Sequence, residues 1–414
     1  MNPLCLHSAR PLASVATAIV AALLLLCGCN SSDEPPMVSL GIDDSYVIER
    51  MRKLPLSPEF YGAEYRWTLD GKTVGTDHDY IFLAADEGTY RMSFDIIDPA
   101  NPFHHDFTVT VVHEGVEYTP YIKEVVEYCP APGQFVNELP PYEPGDTYAD
   151  MLAKATDCIS GKNDVMISLG GFGGYVTFTF DHTVVNIPGE RDLRFWGNAF
   201  YELTDTERKG GSAEPGIVMV SYDVNCNGLP DDPFYELAGS AYADPRTRHG
   251  YTVTYSRPDP AKVPEPDGGF ITDATYIPWA DSQGSSGYIP MNSFHAQPYW
   301  PQWLPESVTG LSFTGTCLPP NAVDRYGNGN YFILYCFDWG YVDNHPNEEY
   351  GPNAFDISWA VDSFGLPVNL PGVDFVRVYT AENQYCGWLG ETSTEICRAA
   401  DLHITEGTPL PVIP

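Results

Sequence analysis

The stretch YRWTLDG, residues 65–71, shows a pattern that recurs along the chain. Its apolar and polar side chains alternate, which is typical of a β-strand with one buried face. The dipeptide Asp70-Gly71 that follows is a strong signal for a tight β-hairpin turn. We therefore predict a strand over residues 65–69, a turn at Asp70-Gly71, and a place in the core for Trp67.

Similar segments follow at regular spacing, and we predict each of them as a strand. Aromatic residues make up 13% of the chain and charged residues 19%, a composition that suits strands better than helices. One segment, residues 331–337, is apolar throughout and is predicted to be a central strand buried on both faces. The alternating segments are residues 80–82, 88–94, 107–111, 176–180, 218–222, 251–255 and 375–379.

A proline-rich stretch, residues 130–145, separates two strand-rich regions. Just after it, Thr147 and Asp150 have the spacing of a helix capping box, and Gly161 marks the end of one short helix. The predicted fold class is all-β, with two β-sandwiches of which the second is jelly-roll-like. The predicted boundaries are an N-terminal sandwich over 38–119, a proline-rich linker with the helix over 120–164, and a larger sandwich over 165–414.

The N-terminal sequence has the pattern of an export signal. An apolar run over residues 15–26 is too short to span a bilayer as a helix and ends in LCGC, residues 26–29. This ending resembles the lipobox of bacterial lipoproteins, which implies removal of residues 1–28, lipidation of Cys29 and a tether over 29–37. The acidic run SSDE after Cys29 resembles the tag that takes Bacteroidetes lipoproteins to the outer face of the outer membrane. We expect a lipid-anchored protein there, facing outward.

Charge and cysteine content exclude two classes of function. A formal net charge of −35 repels phosphate backbones, so nucleic acid is a poor partner. Seven cysteines follow Cys29, and none shows the CxxC spacing of zinc or redox sites. Local disulfides, Cys317 with Cys336 or Cys386 with Cys397, and simple buried thiols both remain open.

Two resemblances add to this interpretation. The strand, turn and strand pattern of residues 65–111 resembles the PKD and immunoglobulin-like modules of bacterial surface proteins. The segments SLGGFGGY (168–175), GNAF (197–200), EPGI (214–217) and GWLGE (387–391) resemble, in order, a family of PKD-bearing Bacteroidetes surface lipoproteins. That resemblance implies non-catalytic capture of a nutrient, a glycan or a corrinoid such as vitamin B12, for a TonB-dependent outer-membrane uptake system.

The sharpest local motif is DVNCNGLPDD, residues 223–232. Oxygen-bearing side chains alternate along it, and Gly228 permits the bend that lets a short loop wrap a hard cation. The spacing resembles the first nine positions of an EF-hand loop, although the twelfth is Phe234. We predict a structural calcium ion. The alternative is an Asn/Gly-rich turn whose side chains cap backbone groups. The predicted ligands are Asp223, Asn225, Asn227, Leu229 through its carbonyl, Asp231 and Asp232.

Residues 276–303 are dense in aromatic side chains without strand or helix period. Such a loop can offer flat surfaces that stack on sugar or corrin rings. The alternative is a loop that folds over one end of the sandwich and forms a satellite core. The predicted ligand-binding residues are Tyr276, Trp279, Tyr299, Trp300 and Trp303, with Trp339 and Trp388 beside them.

No GxSxG or HExxH motif occurs in the chain, which favours binding over catalysis. The alternative is a glycoside-directed enzyme, which needs two carboxylates about 5 to 10 Å apart. Its candidates are Glu214, Asp338, Glu391 and Glu395, whose other interpretation is surface solvation or calcium ligation. A third hypothesis is an adhesion module that binds protein.

The lipobox gives a first testable prediction. Cys29→Ala should release the protein from membranes, because the lipid on this cysteine is the anchor that the N-terminus provides. Membrane fractionation and immunoblotting measure the release. Cys27→Ala is the control and should leave the protein in the membrane fraction. Retention of the Cys29 variant in membranes would contradict lipidation at that position.

The loop over residues 223–232 gives a second testable prediction. Calcium at about 100 times its Kd should stabilise the native protein by about 2.7 kcal/mol, because it binds the folded state alone. Asp223→Ala should remove the stabilisation that calcium gives at this loop, because Asp223 is the first predicted ligand and carries a formal charge. Thermal unfolding in calcium and in chelator measures it. Equal melting in the two conditions, with no metal in elemental analysis, would leave the loop a simple turn.

Overall fold

The computed structural model describes residues 40–162, 165–203 and 208–404. The predicted export signal, Cys29 and the tether lie outside the described residues. Strands dominate the described chain, in agreement with the predicted all-β class, and they form two regions that meet near residue 120. Among the described residues, no helix is both long and apolar enough to cross a membrane.

The N-terminal region is a small β-sandwich. Its five-stranded sheet has the order β1-β7-β6-β3-β4, and β2 pairs with β5 opposite it. Strand β1 runs parallel to β7, and the other pairs of the larger sheet are antiparallel. The strands are β1 (Ser45–Glu49), β2 (Leu54–Leu56), β3 (Tyr65–Leu69), β4 (Lys72–Gly75), β5 (Tyr80–Phe82), β6 (Gly88–Ile96) and β7 (Phe103–Val112).

The predicted hairpin around Trp67 is confirmed. Asp70 and Gly71 have φ angles of 47° and 81°, as a tight turn between twisted antiparallel strands requires. Trp67 is fully buried and its ring lies 4.5 Å from that of Phe94, centroid to centroid. Its indole nitrogen donates to the carbonyl of Asp77 at 2.9 Å, so the one polar atom of the side chain is satisfied. Trp67 therefore belongs to the core, as predicted.

The second region contains the remaining strands and the α-helix of the described chain. Three short 3-10 turns, Gly351–Asn353, Ile357–Trp359 and Gly387–Leu389, interrupt its loops. Its elements are β8 (Glu124–Cys129), α1 (Tyr148–Ile159), β9 (Ile167–Ser168), β10 (Tyr175–Val185), β11 (Leu193–Trp196), β12 (Gly210–Gly211), β13 (Gly216–Ser221), β14 (Phe234–Leu237), β15 (Arg248–Ser256), β16 (Ile271–Asp281), β17 (Ser286–Asn292), β18 (Gly310–Cys317), β19 (Ala322–Asp324), β20 (Phe332–Tyr335), β21 (Ala354–Phe355), β22 (Ala360–Val361), β23 (Gly372–Thr380), β24 (Glu395–Ile396) and β25 (Arg398–Asp401).

A six-stranded sheet of order β22-β14-β13-β23-β10-β8 organises this region. Alternate residues of its central strands, such as Val176, Val218 and Val376, point to one face and are fully buried. Helix α1 covers that face with Met151 and Ala155, one helical turn apart and both fully buried. Full burial of a valine or methionine side chain stabilises the fold by roughly 1.5 to 3 kcal/mol.

The predicted helix is confirmed together with its cap. The hydroxyl of Thr147 accepts from the backbone nitrogen of Asp150, and the Asp150 carboxylate accepts from the Thr147 nitrogen at 2.8 Å. These two bonds satisfy donors that the first helical turn leaves without intrahelical partners. The cap therefore fixes where α1 begins.

The predicted linker over residues 120–164 is wrong. Strand β8 lies inside this range and forms the edge of the six-stranded sheet, paired with β10. The first part of the proline-rich stretch, residues 130–137, is packed into the domain, and Ala131 and Val136 are both fully buried. Proline and glycine are common in flexible linkers and in tightly folded loops alike, so composition does not separate the two. The second domain therefore begins near Tyr121, which bridges to Ala400.

The other face of the six-stranded sheet meets a four-stranded sheet of order β17-β16-β15-β18. The glycine run before β10 lets the two approach closely. A Cβ atom on Gly173, where φ is +81°, would lie 2.3 Å from the Cβ of Phe313 on β18. One on Gly174 would lie 1.9 Å from the carbonyl oxygen of Leu169. Only glycine fits at these two positions, because a Cβ atom would clash with Phe313 or with the backbone of Leu169.

The apolar segment 331–337 forms the central strand of a small sheet. Strand β20 lies between β12 and β19, and its consecutive residues Ile333, Leu334 and Tyr335 are all buried. Burial of neighbouring residues means that both faces are covered, which confirms the prediction, although the strand is shorter than predicted.

Neither local disulfide forms. Cys317, Cys336 and Cys386 are thiols, and each is at least partly buried. Burial raises the pKa of all three thiols, so they are protonated at neutral pH. The buried-thiol alternative describes these cysteines.

Glu236 on β14 links the two large sheets. Its carboxylate accepts a 2.6 Å hydrogen bond from the Thr316 hydroxyl on β18. Burial raises the pKa of Glu236 from 4.5 to about 7, because a carboxylate loses its hydration between the sheets.

This shift predicts a pH dependence of stability. The folded state holds a proton on Glu236 at pH values where the unfolded state has released it, so its contribution is complete below about pH 4.5 and is lost as the pH rises to about 7. Glu236→Gln should remove this contribution and flatten the curve by up to about 1.4 kcal/mol per pH unit in that window. Chemical unfolding at a series of pH values measures the slope. An unchanged slope would contradict the assignment.

Candidate functional site

A cavity of about 320 Å³ opens in the second domain, at the lower end of the size range of small-molecule sites. We call it the acidic cavity, because three glutamates from two separate segments line it. Glu214 precedes β13, whereas Glu391 lies in the segment that connects β23 to β24 and Glu395 begins β24. The residues around it include Gln134, Phe135, Asn198, Glu214, His295, Trp388, Glu391, Ser393 and Glu395.

The GWLGE segment shapes one wall of the acidic cavity. Gly387 and Gly390 have φ angles of 61° and 92°, which allow a single tight 3-10 turn. A Cβ atom on Gly390 would lie 2.6 Å from the side-chain oxygen of Gln134, so the two loops meet through a glycine. The amide of Gln134 in turn donates to the carbonyl of Leu389. This turn leaves Trp388 41% exposed at the cavity.

Glu391 is buried with only half of its carboxylate satisfied. It is 5% exposed, and Oε1 accepts from the backbone nitrogen of Gln134 at 2.7 Å. Oε2 is also buried but has no hydrogen-bond partner. Burial raises the pKa of Glu391 to about 7, because the charged form is poorly solvated there.

Ser393 joins the two other glutamates. Its backbone nitrogen donates to Oε1 of Glu214 at 3.1 Å, and its hydroxyl donates to Oε1 of Glu395 at 2.9 Å. Glu395 is 3% exposed, whereas Glu214 keeps part of its surface open. Burial first, and repulsion from neighbouring carboxylates second, raise the pKa of both groups well above the ordinary range.

Asp343 lies behind these glutamates and positions them. One carboxylate oxygen accepts from the backbone nitrogens of Asn198 and Ala199, at 2.7 and 2.8 Å, and the other accepts from the Glu395 nitrogen at 3.0 Å. A Cβ atom on Gly197 would lie 2.3 Å from Asp343 Oδ1, which explains the glycine of the GNAF segment. Burial raises the pKa of Asp343 to about 7.

These groups define what the acidic cavity can bind. Carboxylate oxygens of Glu214, Asp343 and Glu395 lie within 4.8 Å of one another, a set of hard oxygen ligands. Asp343 already receives three backbone hydrogen bonds, so its oxygens are less available to a cation. Carboxyl groups that are protonated near neutral pH both donate and accept hydrogen bonds. With the Trp388 ring beside them, they suit a neutral, hydroxyl-rich ligand.

Of the four predicted carboxylates, the structure brings three together. Glu214, Glu391 and Glu395 share the acidic cavity. Asp338 is exposed and does not line it. Asp343 is a positioning residue that the sequence alone does not predict. It follows an apolar segment without a glycine motif beside it, so no local signal marks it.

The prediction that Tyr299, Trp300 and Trp303 stack on a ligand is wrong. They are 0%, 1% and 8% exposed and belong to the hydrophobic core, as the satellite-core alternative expects. The segment is also not a simple loop, because β16 and β17 form a hairpin within it. Register shifts in this pair break the strict alternation of side chains, which hides the strand period in the sequence.

The other predicted aromatic residues lie in different places. Tyr276 packs edge-on against Tyr299, with ring centroids 5.4 Å apart, and Trp279 is half-buried. Trp339 is 38% exposed and packs against Trp359, away from the acidic cavity. Trp388 therefore remains as the predicted aromatic residue that lines this cavity.

The loop over residues 223–232 gathers its polar side chains into a compact turn. The Asp223 carboxylate accepts from the backbone nitrogens of Asn227 and Gly228, at 3.1 and 2.8 Å. The Asn227 amide donates to Asp231 at 3.0 Å. These bonds match the capped-turn alternative. Calcium at this loop, with Asn225, Leu229 and Asp232, stays a prediction.

Comparison with known families adds one assignment. The family described as PKD-like domain matches residues 35–98, whose described part, residues 40–98, belongs to the N-terminal sandwich. No curated protein matches the chain.

Solved structures give only weak likenesses. One is a quinonprotein alcohol dehydrogenase-like protein from Bacteroides thetaiotaomicron, at 17% identity and a TM-score of 0.18, with 22% of each chain covered. Another is a SusE-like protein, at 8% identity and a TM-score of 0.25, with 84% of this chain and 91% of that one covered. A third is a carbohydrate-binding module of the β-sandwich superfamily, at 8% identity and a TM-score of 0.14, with 85% and 91% covered. Scores of this size carry no argument about function. The comparisons thus identify a PKD-like domain at the N-terminal end of an all-β chain.

Proposed function

We propose that this chain is a surface-anchored protein that captures a glycan in the acidic cavity. The observation that carries the proposal is one cavity that combines buried carboxyl groups with an exposed tryptophan. Sugars present hydroxyl groups, which pair with Glu214, Glu391 and Glu395, and flat C–H faces, which stack on Trp388. Neutral hydroxyl groups need no charged partner, which fits carboxyls whose pKa is raised by burial.

The volume of the cavity favours a glycan over a corrinoid. A space of about 320 Å³ accommodates one or two sugar rings. A corrin ring with its side chains has many more heavy atoms and would need a larger opening. The proposal therefore keeps the glycan and sets the corrinoid aside.

The proposed membrane anchor and the proposed delivery of the ligand to a transporter are supported by other segments of the chain. The lipobox ending at Cys29 supports a lipid anchor in the outer membrane. The resemblance to PKD-bearing Bacteroidetes surface lipoproteins supports transfer of the ligand to a TonB-dependent transporter. In this proposal the PKD-like domain is the spacer between anchor and cavity, and the protein acts without catalysis.

A glycoside-directed enzyme is the second candidate, and the raised pKa values favour it. Glycosidases use one carboxylic acid that stays protonated near neutral pH and a second carboxylate about 5 to 10 Å away. Burial raises the pKa of Glu391 to about 7, in the range of a general acid. The two candidates differ in one measurable outcome, the release of a cleaved product.

The binding proposal predicts the effect of removing the tryptophan. Trp388→Ala should weaken glycan binding by about 1 to 3 kcal/mol, because an exposed stacking ring is lost while the core is untouched. A glycan array identifies the ligand, and isothermal titration calorimetry measures the affinity. Trp339→Ala is the matched control, since this tryptophan is similarly exposed and lies away from the cavity.

Two results would count against the proposal. One is a glycan array without any binder, and the other is an equal loss of affinity in the Trp388 and Trp339 variants. Product release from a bound glycan, abolished by Glu391→Gln, would establish the enzyme instead.

A further inference from the structure

A second and smaller cavity, of about 70 Å³, also has Glu391 in its lining. We call it the small cavity. The segment that follows β23 forms much of its wall, and half-buried Trp279 of β16 faces it from the four-stranded sheet. Its polar lining is Glu382, Asn383, Gln384, Tyr385 and Glu391.

Three oxygen atoms of this lining are buried without a hydrogen-bond partner. They are Oε1 of Glu382, the hydroxyl of Tyr385 and Oε2 of Glu391. The two glutamates are 1% and 5% exposed, so bulk water does not reach their side chains freely. Buried polar atoms in folded proteins are nearly always paired, and three exceptions around one cavity indicate a ligand or ordered water there.

The charge of the small cavity points to the kind of ligand. Glu382 and Glu391 form no ion pair with a lysine, arginine or histidine in the described part of the chain. The partners of the Glu382 carboxyl are neutral: the Gln384 amide donates to Oε2 at 3.2 Å, and the backbone of Asn321 also bonds to this carboxyl. Two buried carboxyl groups without a positive partner are neutralised by protons, as their raised pKa values indicate, or by a divalent cation that displaces those protons.

We propose that the small cavity binds calcium through the carboxylates of Glu382 and Glu391. The donor set is entirely oxygen, which suits hard cations and not zinc or copper, which prefer nitrogen and sulfur. Calcium accepts irregular oxygen coordination and fills remaining positions with water, and the cavity has room for both. The hydroxyl of Tyr385 would bind such a water.

This site is separate from the predicted calcium loop and from the glycan proposal. Glu382 and Tyr385 do not line the acidic cavity, and residues 223–232 do not line the small one. Glu391 lines both cavities, and its Oε1 accepts from the backbone nitrogen of Gln134, which lines the acidic cavity. Calcium would therefore hold in place the turn that carries Trp388.

The test is calcium titration of the full mature chain after removal of metal with chelator. Calorimetry gives stoichiometry and affinity, and thermal unfolding in calcium and in chelator gives stabilisation. Glu382→Gln should weaken binding at the small cavity at least tenfold, because it removes one charge and keeps the shape. Glu236→Gln is the matched control, because Glu236 is a partly buried glutamate outside both cavities, and this variant should bind calcium as the unaltered protein does.

Asp223→Ala separates the two calcium hypotheses. It should retain the binding that Glu382→Gln loses, since the loop and the small cavity are independent. Normal calcium binding by the Glu382 variant, or complete loss in the Asp223 variant alone, would overturn the proposal and leave ordered water in the small cavity.

A second variant tests the small cavity if Glu382→Gln does not fold. Should Glu382→Gln fail to give a folded circular dichroism spectrum, Tyr385→Phe takes its place, because it removes only the hydroxyl and should weaken calcium binding several-fold. Terbium luminescence gives a further readout. Tryptophan-sensitised emission should fall in Trp279→Phe, and unchanged emission together with unchanged affinity in Tyr385→Phe would overturn the proposal. Glycan binding measured in chelator tests the acidic cavity independently.

Discussion

The position of β23 at the centre of the six-stranded sheet constrains the rest of the second domain. Both of its faces and both of its edges are covered, so the chain leaves it inside the protein rather than at the surface. Ala381 and Glu382, the next two residues, are already 0% and 1% exposed. The segment that follows must turn within a crowded interior, and its acidic side chains are buried as a result. Both cavities lie along this segment.

The buried carboxylates differ in how well the backbone satisfies them. Asp343 accepts three backbone hydrogen bonds and so completes a structural junction. Glu214 and Glu395 share Ser393, and Glu391 receives one bond from Gln134. Because an unsatisfied buried carboxyl destabilises the fold, the least satisfied members are the ones that gain most from a bound partner. Asp343, which accepts three backbone hydrogen bonds, is therefore the structural member of the cluster. Glu391, which accepts one from Gln134, is the member that a bound ligand stabilises most.

Signals that lie within a few residues of each other were enough to predict much of the fold. The turn at Asp70-Gly71, the cap at Thr147 and the apolar run around Leu334 each depend on local sequence. The pairing of β8 with β10 spans a long connection that composition does not reveal, and the bulged hairpin before Tyr299 hides its own period. Glu214 and Glu391 were found because each stands beside glycine or proline in a distinctive segment. Their convergence with Asp343 required the three-dimensional fold.

Lys53 has a consequence for how the two domains move. Its ammonium group donates to the Asp374 carboxylate at 2.9 Å and to the Asp223 carbonyl at 2.7 Å, and both charged side chains are at most 15% exposed. Ile81 and Leu83 of the N-terminal domain also pack against the main core. Rotation of one domain against the other would break this shielded ion pair and expose these apolar side chains, and both effects oppose such a motion. In the proposed surface-anchored protein, these contacts set the angle between the N-terminal domain and the opening beside Trp388.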